Sequence, residues 1–229
     1  INADVLEANG VAVPTSYDEL IVACAALAQK GVLPVANAMC EWPEIALDCA
    51  AMLGAPADQY GQQTSLDGAK SVLTALTQVG AFGVDPWNLT DEQAEQAFAE
   101  GVAAMRFDGS DLAETLAAER QGKTVVVSLS GMDGQARTAL VGTPSYGLAI
   151  TRACWQDSAR REAALSLAAK MLTGEGFAAL TAPASDTALG QSIAQMTASA
   201  TACAGLLYDL NPDHFDEWSE SVVSALMAL

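Results

Sequence analysis

The chain has one histidine, His214, in 229 residues, and 10 Lys plus Arg against 28 Asp plus Glu. Each shortage excludes something. A single histidine rules out the H-E-x-x-H metalloprotease pattern. Any Ser-His-Asp or Cys-His arrangement would have to use His214, which follows Pro212 and Asp213 at the expected start of a helix. A formal net charge of −18 leaves too few cations to neutralise a phosphate backbone or an anionic lipid surface, so no nucleic acid is expected as a partner. Five cysteines are present (Cys24, Cys40, Cys49, Cys154 and Cys203) without a C-x-x-C, so no structural zinc site is expected. Most of them sit in alanine-rich surroundings and read as small buried hydrophobes, with a Cys40–Cys49 bridge as the alternative. Both glycine-rich phosphate loops are missing, and "GTPSYG" at Gly142 has the wrong spacing for a nucleophile elbow. No cofactor and no metal is therefore expected. No run reaches the ~18 apolar residues of a membrane span. Ile1 to Val5 has neither the basic start nor the apolar run of an export signal. That fits either a cytosolic protein or a chain that begins after its signal.

What is present is alanine-rich helix alternating with short strands. Asp4 to Ala8 reads as a helical turn stopped by Asn9-Gly10. Ser16 and Glu19 form a capping-box pattern ahead of a helix to Lys30, with Leu20, Ala23, Cys24 and Leu27 on one face. Val32 to Ala36 then reads as a strand, Asn37 to Glu41 as a loop, and Pro43 to Leu53 as a helix. Ser65 to Val79 is amphipathic through Val72, Leu73, Leu76 and Val79. Thr90 and Gln93 form a second capping box for a helix ended by Gly101. Val102 to Phe107 reads as a strand and Ser110 to Arg120 as a helix. "KTVVVSLS", from Lys123, reads as the strongest strand, and Tyr146 to Thr151 as another. Ser158 to Leu172 is a long helix, and Pro212 to Leu229 the last one. The alternation predicts an α/β fold with helices packed on sheets.

Chemistry-bearing motifs are sparse. Asp108 and Asp111 flank a glycine turn that reads as solvated rather than as a calcium loop. Carboxylates are too plentiful for any one pair to mark acid–base catalysis. Four tryptophans in so aliphatic a chain say more. Trp42, Trp87, Trp155 and Trp218 all fall at expected loop mouths or helix starts, where a ring can stack on a sugar face. Core packing is the competing role for each, and the commoner one.

Taken in order, the motifs resemble the extracellular solute-binding proteins of ABC importers, in family 1 with the maltose-binding proteins. "INADVLEANGVAVPTSYDEL" matches the family's opening through Asn2, Asp4, Pro14, Thr15, Asp18 and Glu19, with Tyr17 in place of a tryptophan. "AFAEGVAAMRFDGSD" matches through Phe98, Gly101, Ala104, Met105 and Gly109. "LVGTPSYGLAITRAC" and "REAALSLAAKMLTGEGFAAL" resemble the return strand and helix that follow.

The resemblance implies a periplasmic-binding-protein-like (type II) fold, mainly the C-terminal lobe, without the first part of the N-terminal lobe. Residues 1–140 would form the lobe body, 141–190 a segment belonging to the N-terminal lobe in the family, and 191–229 the return. The helix carrying Leu165, Leu167 and Leu172 would then lack its usual sheet and pack elsewhere, on another copy of the chain for example. The implied function is capture of a saccharide or other small solute by hinge closure, for delivery to ABC permease subunits, with no bond broken. The location would be extracellular, on a cell-surface lipoprotein or in a periplasm.

The resemblance implies that Trp218 is at a position where a ring stacks on the ligand, and that Trp42 with Pro43 keeps the family's tryptophan-proline pair next to another such position. Met39 and Asp111 stand where maltose-binding members stack rings, so a ligand other than maltodextrin is expected. Glu41 and Asp111 would accept hydrogen bonds from hydroxyls or pair with a cation, with Asn37 and Tyr146 as further candidates. Two readings compete: a glycoside hydrolase using paired carboxylates, and an interaction or adhesion module with no small-molecule response.

Overall fold

The computed structural model describes residues 1–38, 45, 63–84, 88–109, 112–129, 139–141, 149–171, 187–198, 202–204, 220 and 224. The chain opens with α1 (Ala3–Ala8) and α2 (Tyr17–Gln29). Gly10 and Gly31 follow them in the left-handed region, as their sequence positions predict. Ser16 caps α2 by accepting from Glu19 N. The expected box is shifted by one residue, because the Glu19 carboxylate reaches back to Thr15, accepting from its N at 2.7 Å and its Oγ1 at 2.8 Å. These two bonds hold the Glu19 carboxyl below its usual value of 4.5. The predicted face of α2 is the buried one: Leu20, Ala23, Cys24 and Leu27 all lie inside.

The central feature is a parallel pair, β1 (Leu33–Val35) and β2 (Ala103–Met105), in register Leu33–Ala103 and Val35–Met105. Between them in sequence lie α3 (Gln63–Gln78) and α4 (Asp91–Ala99). Val72, Leu73 and Leu76 of α3 meet α2 and both strands in the main core, with Val35 and Met105. Ala94 of α4 packs with Ala36 and Ala103 in a smaller cluster. All three residues of β2 are buried, which a parallel strand achieves only when both faces are covered. The predicted capping box of α4 is formed in full by Thr90 and Gln93.

Downstream, three expectations are corrected. The helix expected over Ser110–Arg120 is two short ones, α5 (Leu112–Thr115) and α6 (Ala118–Gln121). Leu116 leaves the helical path for a cluster with Phe98, Leu189 and Ile193, and the Gln121 Nε2 bonds to the Ala113 and Leu116 carbonyls at 2.8 Å stabilise the break. "KTVVVSLS" forms no strand among its described residues. Thr124 makes an isolated antiparallel bridge with Asn2, and Val125 exchanges bonds with Ile1. β-branched residues need a partner edge to become a strand, and here Ile1 and Asn2 supply a very short one. The strand expected over Tyr146–Thr151 is absent from its described part, Ala149 to Thr151, where Thr151 caps a helix instead.

A second parallel pair was not anticipated: β3 (Ala139–Val141) with β4 (Ala202–Ala204). Between them, α7 (Arg152–Gln156) packs on α8 (Ser158–Met171), and α9 (Ala188–Ala198) packs on α5. Trp155, expected to follow a strand, lies within α7 and is half-exposed, with the Arg161 guanidinium 5.6 Å over its ring. Leu165 and Leu167 of α8 are exposed. The expected helices at Pro43–Leu53 and Pro212–Leu229 lie outside the described residues, apart from Ile45, Glu220 and Ser224, which are helical. Among the described residues no helix is long and apolar enough to cross a membrane.

Candidate functional site

In open parallel sheets, ligands bind beyond the carboxyl ends of the strands, where the chains part to opposite sides. Here those ends belong to β1 and β2. Ala36 N still donates to Met105 O, at 3.0 Å. Among the described residues, the next tie between the two segments is made by a side chain. Asn37 donates from Nδ2 to Phe107 O at 2.7 Å and accepts from Phe107 N at Oδ1, 2.9 Å. Asn37 and Ala38 are both buried.

A second tie holds the segment after β2. Arg106, its side chain only 3% exposed, pairs through Nε with Asp108 Oδ2 at 2.7 Å and through Nη2 with Asp91 Oδ1 at 2.9 Å. The other Asp108 oxygen accepts from Gly109 N at 2.7 Å. Asp91 is the first residue of α4, so this network fastens the Arg106–Gly109 turn to the helix beside the sheet. The turn that reads as solvated in the sequence is therefore an ion-paired one. Charge-assisted bonds of this length are stronger than neutral ones.

Of the six candidate ligand residues, Asn37 lies within the described residues, and its amide is engaged with Phe107. Glu41 and Trp42 lie shortly beyond Ala38, and Asp111 shortly beyond Gly109. These three, with Tyr146 and Trp218, fall outside the described residues, as does His214. Sequence reasoning missed Arg106. The available signal was an arginine directly after a strand, followed within two positions by an aspartate, in a chain with few cations.

The other end of β2 is closed by different residues. Asn2 is fully buried and donates from Nδ2 to Phe98 O and Ala103 O, at 2.9 and 2.8 Å. Arg120 donates from Nε to Ala99 O at 3.1 Å and pairs through Nη1 with Asp4 at 3.0 Å. Asn2, Asp4, Phe98 and Gly101 thus belong to a structural lock remote from the strands' carboxyl ends. Cys24 and Cys154 are in no disulfide, and burial pushes the Cys24 thiol up to about 12. Among the described residues no group of three or more His, Cys, Asp or Glu could hold a metal ion.

Residues 1–204 match the family model described as bacterial extracellular solute-binding protein. The chain belongs to that family. A structure from work on xylan utilisation by the thermophilic bacterium Caldanaerobius polysaccharolyticus aligns with a TM-score of 0.67 at 24% identity, covering 98% of this chain and 65% of its own. A probable secreted solute-binding lipoprotein from Streptomyces coelicolor aligns at 0.70 and 18% identity, covering 99% and 66%. A chitin oligosaccharide binding protein aligns at 0.61 and 18%, covering 98% and 66%. These likenesses show the periplasmic-binding-protein-like α/β fold. The chain spans just under two thirds of the length of these structures. No curated protein matches it.

Proposed function

We propose that this chain is the greater part of the substrate-binding component of an ABC importer, and that its ligand is a carbohydrate. The observation that carries the reading is the family match over residues 1–204, on a fold whose solved relatives include a chitin oligosaccharide binding protein. The sheet supports it: the β1–β2 ends are braced by Asn37 and Arg106 directly before the segments that hold Glu41, Trp42 and Asp111. Trp218 and Trp42 would stack on sugar faces. Glu41 and Asp111 would accept hydroxyl hydrogen bonds, with Tyr146 and Asn37 as further candidates. Closure of two lobes around the solute would bias the population toward the form that a permease accepts. Residues 1–140 and 191–229 would form one lobe and 141–190 part of the other. The protein would work outside the cell membrane, as a lipoprotein or in a periplasm.

A hydrolase is not favoured. Asp91 and Asp108, which flank the segment after β2, are both paired with Arg106, which suits bracing rather than proton transfer.

The test is a thermal-shift and calorimetric screen against xylo-oligosaccharides, chito-oligosaccharides, monosaccharides and amino acids. Saturation at a hundred times the dissociation constant should stabilise the protein by about 2.7 kcal/mol. A response confined to saccharides, without turnover, is the expected outcome. A response to amino acids alone, or hydrolysis of the sugar, would overturn the reading.

A further inference from the structure

We infer that Asn37 is a positioning residue for the carbohydrate site: its side chain forms the last rung of the β1–β2 ladder, where the two main chains part. The inference rests on the functional reading above and adds a role to a residue that would otherwise be counted among the ligand contacts.

The register gives the argument its first step. Pairs run Leu33–Ala103 and Val35–Met105, and the next pair in a parallel ladder is Asn37–Phe107. At that rung the partner of the Phe107 N–H and C=O is the amide of a side chain. A primary amide carries the same donor and acceptor as a peptide group. Because it stands off from its own backbone, it satisfies Phe107 while setting the main chains farther apart than direct pairing does. Asn37 is 1% exposed and Phe107 is half-buried, so losing the amide would leave the Phe107 N–H and C=O without this partner. Past this rung, one segment leads to Glu41 and Trp42 and the other to Asp111. The Arg106–Asp108–Asp91 network fixes the second segment to α4, and Asn37 ties the first segment to the second.

The same sheet contains its own control. Asn2 is another buried amide that bonds to backbone carbonyls of β2 and its approach, at the opposite end. Loss of either amide should destabilise the fold. Only loss of Asn37 should loosen the mouth.

The experiment compares the full chain with Asn37→Ala, Asn37→Asp and Asn2→Ala, reading backbone hydrogen exchange and saccharide affinity. In Asn37→Ala the amides of Phe107 to Gly109 should exchange about tenfold faster, with α2 unchanged. Affinity for the xylo- or chito-oligosaccharide bound by the wild type should fall about tenfold. Asn2→Ala should lose similar thermal stability and keep its affinity.

Asn37→Asp supplies a signature that simple destabilisation lacks, and it serves if the alanine variant does not fold. Its carboxylate accepts from Phe107 N but repels Phe107 O. As pH falls through the titration of that carboxyl, which burial raises above the ordinary aspartate range, the donor returns, and exchange at Phe107 relative to wild type should slow again. Unchanged exchange at Phe107 to Gly109 in both Asn37 variants would overturn the inference. So would an equal loss of affinity in Asn2→Ala. If the wild type binds no saccharide but the exchange pattern holds, the tie stands and the carbohydrate reading falls.

Discussion

Cys24 shows how a residue's surroundings set its chemistry. Buried among Leu20, Leu27 and Leu73, its thiolate has no solvation, and the pKa moves from 9.0 to about 12. A raised pKa means the native state keeps a proton that the unfolded chain loses. The stability this provides is complete below 9.0 and is lost as pH rises toward 12. Cys24→Ala should therefore flatten the alkaline fall of melting temperature, and thiol labelling of the native protein at neutral pH should modify Cys154 while sparing Cys24. Glu19 works in the opposite sense. Its lowered pKa means that its contribution is present above 4.5 and is lost as pH falls below that value through the lowered one. Glu19→Gln should make melting temperature less dependent on pH in that acid range. Glycines differ in the same local way. Gly10 and Gly101 both have positive φ, at 63° and 75°, but a Cβ on Gly10 would meet nothing within 4 Å, whereas one on Gly101 would lie 2.5 Å from Arg120 Nη2. Gly10→Ala should cost about 1 kcal/mol from backbone strain alone. Gly101→Ala should cost more in denaturant titration, because the guanidinium must also leave Ala99 O and Asp4.

At the scale of elements, α4 is short, and its start depends on the Thr90–Gln93 box. Thr90→Ala should cost about 1 kcal/mol of stability, measurable by urea unfolding, with earlier exchange of the first-turn amides. That box was legible in the sequence because a cap is a local agreement between neighbouring residues. The burial of α2 and α3 was legible for a similar reason: Leu20, Cys24 and Leu27, or Val72, Leu73 and Leu76, mark one helical face. The misreadings share a cause too. Val125 to Val127 have strand-forming side chains, yet their neighbours give only Ile1 and Asn2 to pair with. Ala202 to Ala204 have none of that character and become a strand because Ala139–Val141 lies beside them. Strand identity is decided by a partner distant in sequence, and so are the break between α5 and α6 and the role of Asn37. Nothing in "VANAMCEWPE" announces that its asparagine faces Phe107. Arg106 was overlooked because its value lies in Asp91, fifteen residues earlier.

For the molecule as a whole, the unusual surface is the α7–α8 hairpin. Trp155, Leu165 and Leu167 are exposed there while the β1–β2 layers are closed on both faces. Leu165→Lys and Leu167→Lys should each change the stability of this chain by no more than about 0.5 kcal/mol, in contrast to the several kcal/mol expected for Leu73→Ala in the core. A large loss from the lysine variants would show that the hairpin is covered in solution. Family membership and fold were readable from the ordered motifs, because Asn2, Phe98, Gly101 and Met105 hold the sheet and its helices in fixed relation. Ligand identity was not, because neither capping patterns nor apolar periodicity says which solute a ring or carboxylate would meet.

Asn2 has a further consequence, for the order in which the protein can be built. Its amide waits for the carbonyls of Phe98 and Ala103, which follow it by 96 and 101 positions, and Ile1 waits for Val125, 124 positions on. During synthesis α1 precedes β2 and Thr124, so these bonds form only once both have followed. Native pairing across such separations is slow, so a nascent chain stalled anywhere before Val125 should present α1 as an accessible apolar segment to chaperones and proteases.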